Sequence, residues 1–310
     1  MQSTKEICMK KLWYLLTGCL SIIFPAALPH LTAAEDMLQN LLEKPMDGIC
    51  VFEYPDRYIV SIQDQTGGMS GSLFQNLYPV AQVKLQKEYD ASHNIFLVKI
   101  KKSGEHFLID TGFGNGRSQL LKRLQAAGIT PEMIDAVFIT HIHPDHVGGL
   151  TLPGGTDAAF PKAKLCIART EYEVWQKDRG RAGLGKHLAP YQNRLVLLPY
   201  NKTIRNFDLT PEFLPGHTPG HTVFRMKVSG DGKTVAFVGD IVHAADLQIP
   251  YPGYCARYDM DRQKAVASRN QLLLRGGTWL GAHIPFPGRI EIMRKIKSSC
   301  KDQFSYQPAP

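Results

Sequence analysis

The segment His141-Ile142-His143-Pro144-Asp145-His146 places four potential metal ligands within six residues, directly after an apolar stretch at residues 136–140. The stretch is rich in β-branched and aromatic residues and predicts a strand. In an extended chain, residues two apart face the same side, so His141 and His143 can reach one metal. Pro144 favours an extended His143 and then a turn, which lets Asp145 and His146 face a second metal. The segment therefore predicts a two-metal site at the end of a strand.

Three more potential ligands each follow an apolar segment elsewhere in the chain. His217 follows residues 213–216, Asp240 follows Val238-Gly239, and His283 follows residues 279–282. Strand ends converge on one edge of a sheet, so these loops are expected to meet the first segment. A single site assembled from four loops follows from this pattern.

The rest of the chain predicts a mixture of strands and helices without internal repeats or a low-complexity linker. Short apolar segments predict strands at residues 58–62, 95–100, 107–109, 136–140, 164–168, 194–198, 222–228 and 234–238. Helical periodicity covers residues 118–127 and 261–274, closed by Gly128 and Gly276, and a third helix is expected at 171–177. Two mixed sheets with helices packed outside them are predicted, in one domain over residues 35–310.

Taken together, these motifs resemble the metallo-β-lactamase superfamily in its two-metal form. The resemblance rests on HIHPDH at 141–146, GHTPGH at 216–221, Gly239-Asp240, the late His283 and the segment LIDTG at 108–112. It implies an α/β fold of the αββα sandwich type. It covers the chain from about residue 49 to residue 297.

The resemblance also implies a ligand set and a mechanism. His141, His143 and His217 would hold one metal, Asp145, His146 and His283 the other, and Asp240 would bridge them. These nitrogen and oxygen donors suit two Zn²⁺ ions, with Mn²⁺ or Fe²⁺ as alternatives. A hydroxide bridging the metals would attack the substrate. Asp145 and Asp240 are the expected catalytic residues, which orient the nucleophile and accept its proton.

Other residues are assigned supporting positions around the metals. Asp110 is expected to orient a histidine or a loop, and His221 to pack beside the ligands without binding metal. His243 is expected to donate a hydrogen bond or to hold a loop. Phe286 and Trp175 are the aromatic residues proposed to line a substrate pocket, whereas His93, His106 and His187 have no motif context.

Residues 239–248 and 282–288 resemble a narrower branch, the methyl parathion hydrolase-like proteins and quorum-quenching lactonases. The expected reaction is hydrolysis of a lactone, an ester or a phosphotriester. Lactonases often have tyrosine where this chain has His243, which leaves the choice among these substrates open. A phosphodiesterase or nuclease of the same superfamily is one alternative, and a catalytically silent periplasmic metal-binding protein is another.

The N-terminus predicts export to the periplasm or beyond the cell. Three lysines precede an apolar stretch, and small residues before Glu35 suggest cleavage of a signal peptide at residues 1–34. The alternative is a lipoprotein anchored through Cys19. Cleavage would lower the net charge from +8 to +6, but the basic residues are scattered, so no nucleic-acid partner is expected. No transmembrane span is expected in the mature chain, its partner is a small-molecule substrate, and a homodimer is left open.

Overall fold

Two mixed sheets form the centre of the protein, whose computed structural model describes residues 37–78, 83–178, 184–228, 232–296 and 302–308. The strands are β1 (Ile49–Glu53), β2 (Arg57–Ser70), β3 (Phe74–Asn76), β4 (Glu88–Ile100), β5 (His106–Ile109), β6 (Ile134–Ile139), β7 (Lys164–Ala168), β8 (Leu195–Leu198), β9 (Leu209–Phe213), β10 (Thr222–Lys227), β11 (Thr234–Gly239), β12 (Tyr254–Ala256), β13 (Gly277–Gly281), β14 (Arg289–Ile296) and β15 (Asp302–Pro308). The first sheet has the order β1-β2-β4-β5-β6-β7-β8, and the second has the order β15-β14-β13-β11-β10-β9. Strands β12 and β3 form a separate antiparallel pair.

The helices lie between and after these strands. The α-helices are α1 (Leu120–Ala126), α2 (Pro144–Val147), α3 (Arg169–Lys177), α4 (Gly185–Leu188), α5 (Ala245–Gln248) and α6 (Arg262–Arg275), and residues 37–43 are also helical. Short 3₁₀ helices occur at Gly71–Leu73, Pro131–Met133, Gly148–Leu150, Ala189–Arg194 and Arg205–Phe207. Asp261 caps the start of α6 by accepting a hydrogen bond from the Lys264 amide at 3.0 Å. Gly276, with φ +63°, ends that helix as its sequence predicts.

Three apolar clusters explain how the layers are held together. One joins the facing sides of the two sheets and includes Phe96 and Phe138 from the first sheet and Phe237 from the second. Another covers the opposite side of the first sheet with α1, and a third covers the second sheet with α6. Burial of apolar side chains on both faces of each sheet is the arrangement of an αββα sandwich. The predicted fold class is confirmed.

Each strand predicted from an apolar segment overlaps a strand of the structure. The segments that were not predicted include β14 and β15, which form one edge of the second sheet. In β14, buried Ile290 and Ile292 alternate with Arg289 and Glu291. Such alternation is typical of a strand with one polar face, and a search for continuous apolar segments does not detect it.

The cysteines, the predicted absence of a membrane span and the predicted signal segment concern the chain as a whole. Cys50, Cys166 and Cys255 are free thiols, and Cys300 lies outside the described residues. Among the described residues, none of the helices combines the length and apolar character that crossing a bilayer requires. The predicted signal segment at residues 1–34, with Cys19, also lies outside the described residues.

Candidate metal centre

The loops that carry the predicted ligands meet where the two sheets come together. Strands β5 and β6 run parallel in the first sheet, and β11 and β13 run parallel in the second, so their carboxyl ends share an edge. Backbone hydrogen bonds join the two sheets at this edge. The Thr222 amide donates to Thr140 O at 2.9 Å, and the Asn94 amide donates to Ala282 O at 2.8 Å.

The first group of predicted ligands contains His141, His143, His217 and Asp240. One nitrogen or oxygen from each lies within 4.8 Å of the others. The Nε2 atoms of His141 and His217 are 3.1 Å apart, and each is 2.9–3.0 Å from His143 Nδ1. The Asp240 Oδ2 atom is 3.2 Å from His217 Nε2 and 3.7 Å from His141 Nε2.

The second group contains Asp145, His146, His283 and the same Asp240. His283 Nε2 lies 3.0 Å from Asp240 Oδ2 and 3.4 Å from Asp145 Oδ2. His146 Nε2 lies 3.1 Å from Asp240 Oδ1 and 3.6 Å from Asp145 Oδ2. The structure therefore brings together all seven side chains, with Asp240 common to both groups, as the predicted bridging position requires.

The donor atoms of these groups suit metal cations. Three imidazole nitrogens that touch one another cannot all hydrogen bond together, because each bond needs one N–H group and one lone pair. A cation at the centre of the His141, His143 and His217 nitrogens would satisfy three lone pairs at once. His146 Nε2 and Asp240 Oδ1 are buried without a hydrogen-bond partner of suitable geometry among the described residues, which also fits a metal between them. Imidazole and carboxylate donors of this kind suit zinc.

Burial and neighbouring charges have opposite effects on the pKa values of the side chains in the two ligand groups. Burial opposes the charge of Asp240, but the surrounding histidines outweigh it and hold the pKa of this carboxyl well below its usual range. Burial likewise opposes protonation of His217 and His283, but Asp240 and nearby carboxylates raise their pKa values to about 9 and about 10. Burial prevails at His143, where it lowers the pKa to about 3. The carboxylates are therefore ionised at neutral pH and can serve as ligands.

Four of the histidines are oriented through the ring nitrogen that faces away from the cluster, including His141, whose Nδ1 lies 3.0 Å from Thr140 Oγ1. His146 Nδ1 donates to Asp110 Oδ2 at 2.8 Å, and His217 Nδ1 donates to Asp259 Oδ1 at 3.0 Å. His283 Nδ1 donates to the carbonyl oxygen of Ser92 at 3.1 Å. Such partners hold the rings of metal-binding histidines in a fixed orientation and tautomer. His217, His243 and Asp259 form a third close group. Asp259 contacts the outer nitrogen of His217, so the hydrogen bond that orients His217 accounts for this group.

His221 contacts backbone on both sides of its ring. Its Nδ1 donates to Leu214 O at 3.2 Å, and its Nε2 accepts from the Asp240 amide at 3.1 Å. Both nitrogens are therefore used, and His221 holds the Asp240 loop instead of facing a metal. Gly239, with φ +50°, precedes Asp240, and a Cβ there would lie 2.7 Å from His221 Nε2. Only glycine fits this close approach without strain.

A cavity of about 660 Å³ opens above the two groups. It is lined by ligand candidates together with other residues, which are Met69, His93, Phe113, Pro144, His243, Arg257, Tyr258, Asp259 and Met260. His243 stacks on His283 with ring centroids 5.2 Å apart, and its Nε2 is 3.3 Å from Asp240 Oδ2. His243 therefore faces the cavity beside the bridging candidate, while its backbone amide donates to Gln248 Oε1.

Neither aromatic residue predicted for the pocket, Trp175 or Phe286, is among the residues that line this cavity. Trp175 is buried behind His143, with ring centroids 5.7 Å apart, and its Nε1 donates to Glu171. Phe286 lies in a tight turn after His283. The Gly281 amide donates to Gly288 O and the Gly288 amide donates to Pro285 O, which closes the turn around Phe286.

Several site residues were not predicted from the sequence, among them His93, Asp259 and Glu171. His93 lines the cavity, with Nε2 3.8 Å from Asp145 Oδ2, and its ring contacts those of His283 and Phe113. Asp259 orients His217, and Glu171 is a fully buried carboxylate that contacts the ligand loops. An acidic residue four positions before Trp175, on the apolar face of a helix, is the sequence signal that could have indicated Glu171.

Comparison with known proteins agrees with this fold. The family described as Metallo-beta-lactamase superfamily matches residues 89–280, which is more than half of the chain. The chain therefore belongs to the metallo-β-lactamase superfamily.

Within that superfamily, the chain is similar to proteins described as lactonases and hydrolases. It is 27% identical over 169 residues to the N-acyl homoserine lactonase AttM of Azorhizobium caulinodans, which covers 50% of this chain and 59% of AttM. The crystal structure of hydrolase AbOPH is 27% identical, covers 86% of this chain and 99% of its own, and superposes with a TM-score of 0.72. AidC, described as a dizinc quorum-quenching lactonase, is 26% identical over 85% of this chain and 98% of its own, also with a TM-score of 0.72.

Proposed function

We propose that this protein is a binuclear metal-dependent hydrolase that opens a lactone or cleaves an ester or a phosphotriester. The observation that carries the proposal is the meeting of seven predicted ligands in two groups that share Asp240, at the base of the cavity. The similarity to AttM and AidC, which are named as lactonases, supports this class of reaction. Zinc is the proposed metal, because histidine and carboxylate donors suit it.

His141, His143 and His217 would hold one metal, and Asp145, His146 and His283 the other, with Asp240 shared between them. Bound divalent metals polarise a carbonyl or phosphoryl oxygen and lower the pKa of water toward neutrality. In the hydrolysis itself, the oxygen of water forms a bond to the carbonyl carbon or phosphorus. The bond to the leaving oxygen then breaks, and a proton from water passes to that oxygen.

Asp145 is the side chain best placed to move this proton. Its side chain is 18% exposed and lines the cavity, whereas Asp240 is only 3% exposed. Burial opposes the charge of Asp145, but His146 and His283 outweigh it and hold its pKa below the usual range. Asp145 is therefore ionised at neutral pH. A carboxylate with a lowered pKa is a weak base, so its proposed role is to hold the proton of water only briefly before passing it to the leaving oxygen.

The cavity supports a small substrate with an apolar portion. Its volume of about 660 Å³ lies within the range of roughly 300–1,000 Å³ that is usual for small-molecule sites. Met69, Phe113, Tyr258 and Met260 supply apolar surface on its walls. Among the residues described as lining the cavity, Arg257 is the one lysine or arginine. A groove that binds nucleic acid needs several such basic side chains. This lining favours a lactone, ester or phosphotriester over a nucleic-acid phosphodiester.

Export and assembly remain proposals that rest on the sequence. We propose that residues 1–34 direct the chain to the periplasm or out of the cell, with lipidation at Cys19 as the alternative. Mass spectrometry of the mature protein distinguishes the two, since cleavage after Ala34 leaves an unmodified N-terminus and lipidation adds acyl chains. The possible homodimer is tested by light scattering of the purified protein.

The reaction is tested on purified, zinc-loaded mature protein with four substrates: a long-chain acyl-homoserine lactone, an aryl phosphotriester, an aryl ester and a β-lactam. We expect turnover of the lactone, the phosphotriester or the ester that disappears with a chelator and returns with zinc. Absence of turnover on all four substrates by protein with two metals bound would contradict the proposal. It would favour the silent metal-binding protein instead.

A further inference from the structure

Glu171, on α3, is a buried carboxylate that none of the proposed reaction steps uses. Its side chain is fully inaccessible to solvent. It accepts four hydrogen bonds, two on each oxygen. Oε1 accepts from the Ile142 amide at 2.8 Å and from Trp175 Nε1 at 2.6 Å, while Oε2 accepts from Thr218 Oγ1 at 2.8 Å and from the Gly220 amide at 2.9 Å. Both oxygens are therefore fully used by donors.

The positions of these donors relative to the ligands are informative. Ile142 lies between His141 and His143, and Thr218 directly follows His217. One carboxylate thus joins the two backbone segments that carry all three histidines of the first ligand group. These segments are more than 70 residues apart in sequence and follow strands of different sheets, so Glu171 links the two sheets at the metal centre.

The local backbone is shaped to let this helix approach. A Cβ at Gly220 would collide with the backbone nitrogen of Glu171, so the loop packs directly against the start of α3. A buried carboxylate is costly unless it is fully hydrogen bonded, and here two backbone amides, an indole and a hydroxyl supply the bonds. The arrangement therefore depends on both loops being in place.

We infer that Glu171 is a positioning residue that holds the His141–His143 segment and the His217 loop at the separation required by one metal. This inference rests on the proposed metal centre and specifies how the three histidines of its first ligand group are held in position. Groups that orient metal ligands typically contribute roughly 10- to 100-fold in metal affinity. Loss of the Glu171 carboxylate should lower the affinity for the metal of the first ligand group. It should spare the affinity for the metal that Asp145, His146 and His283 would hold.

The test uses Glu171→Gln, which keeps the shape of the side chain but replaces one acceptor oxygen with an NH₂ group. Two of the four groups that donate hydrogen bonds to Glu171 then face the NH₂ group, which is itself a donor. Stepwise zinc affinities are measured by competition with a chelator for the full mature chain. We expect one of the two affinities to fall roughly 10- to 100-fold and the other to change less than about threefold. Asp259→Asn, which replaces the carboxylate partner of His217 with a neutral amide, identifies the affected metal, because the same affinity should fall.

Asp64→Asn is a matched control for the loss of a buried carboxylate. Asp64 is also fully buried and also accepts four hydrogen bonds, from Ser118 Oγ and the amides of Phe113, Gln119 and Leu120. None of these donors neighbours a predicted ligand in the sequence. A purely structural effect should appear in thermal unfolding of both variants, whereas selective loss of one zinc affinity should appear only in Glu171→Gln.

Several outcomes would overturn the inference. Unchanged zinc affinities in Glu171→Gln would do so, and so would an equal loss of both affinities that Asp64→Asn reproduces. If the unaltered protein bound no zinc, the proposed function itself would fail, and the inference with it. If Glu171→Gln does not fold, Thr218→Val removes a single donor, and we expect the same affinity to fall about three- to tenfold. No change there would also overturn the inference.

Discussion

The two halves of the candidate metal centre are supported in different ways. The first half, with His141, His143 and His217, is held by Glu171 and Asp259, which come from other parts of the chain. The second half is held closer to its own strands, because Asp110 follows β5 beside β6 and Ser92 lies within β4. The second half also contains Asp145, whose side chain is 18% exposed to the cavity.

This difference suggests a division of roles between the halves. His141 and His217 are at most 2% exposed, and so are His146 and His283, so the difference between the halves lies in Asp145 and not in the burial of these histidines. Asp145 lies on the cavity wall of the second half, where a substrate can reach it. Variants that affect one half alone can therefore separate metal retention from the handling of the substrate.

The largest effect is expected from Asp240→Ala, because Asp240 belongs to both halves. The change removes a shared ligand and leaves nearby histidines without their central carboxylate. Both zinc affinities should fall by more than the roughly 100-fold that loss of an orienting group costs, and turnover should fall to background. Zinc content and initial rates measure this. Retention of both metals with near-normal rates would show that Asp240 does not bridge.

A smaller and selective effect is expected from the two orienting carboxylates. Asp259→Asn should weaken the metal of the first half roughly 10- to 100-fold, and Asp110→Asn should weaken that of the second half by a similar factor. Asp259→Asn should spare the affinity of the second half, as measured by chelator competition. Asp110→Asn should also lower the affinity of the first half, but less, because Asp110 accepts from Thr140 Oγ1, which contacts His141 Nδ1. If both variants weakened the same metal most, the assignment of ligands to two halves would be wrong.

A more modest effect is expected from Phe113, which lines the cavity beside His93. Phe113→Ala removes apolar contact with the substrate, and a loss of about 1 kcal/mol corresponds to a roughly fivefold increase in KM. Both zinc affinities should stay unchanged. Steady-state kinetics on the best substrate of the panel provide the measurement, and an unchanged KM would exclude Phe113 from substrate binding.

The smallest effect is expected from Phe286, which serves as the matched aromatic control. Because Phe286 is absent from the cavity lining, Phe286→Ala should alter KM by less than about twofold. A KM increase as large as that of Phe113→Ala would support the original prediction that Phe286 contacts the substrate.

The sequence predicted most of this fold because its strands near the site are buried on both faces. Strands such as β6 and β7 therefore appear as continuous apolar segments, and each is covered by a sheet on one side and helices on the other. The alternating edge strand β14 has no such segment. His93 lies inside a long strand without a neighbouring ligand motif, so nothing in its sequence separated it from an ordinary histidine.

The amino-acid sequence by itself determined the types and order of the seven ligand candidates, because metal binding requires donors such as histidine and carboxylate side chains and each one here follows a segment that predicts a strand. Tertiary structure decided which side chains support them. Glu171 acts on backbone amides, which every residue except proline possesses, so its partners leave no pattern of residue types. The cavity wall likewise combines residues far apart in the chain, including Met69, Phe113 and Tyr258, and only the packing of the two sheets brings them together.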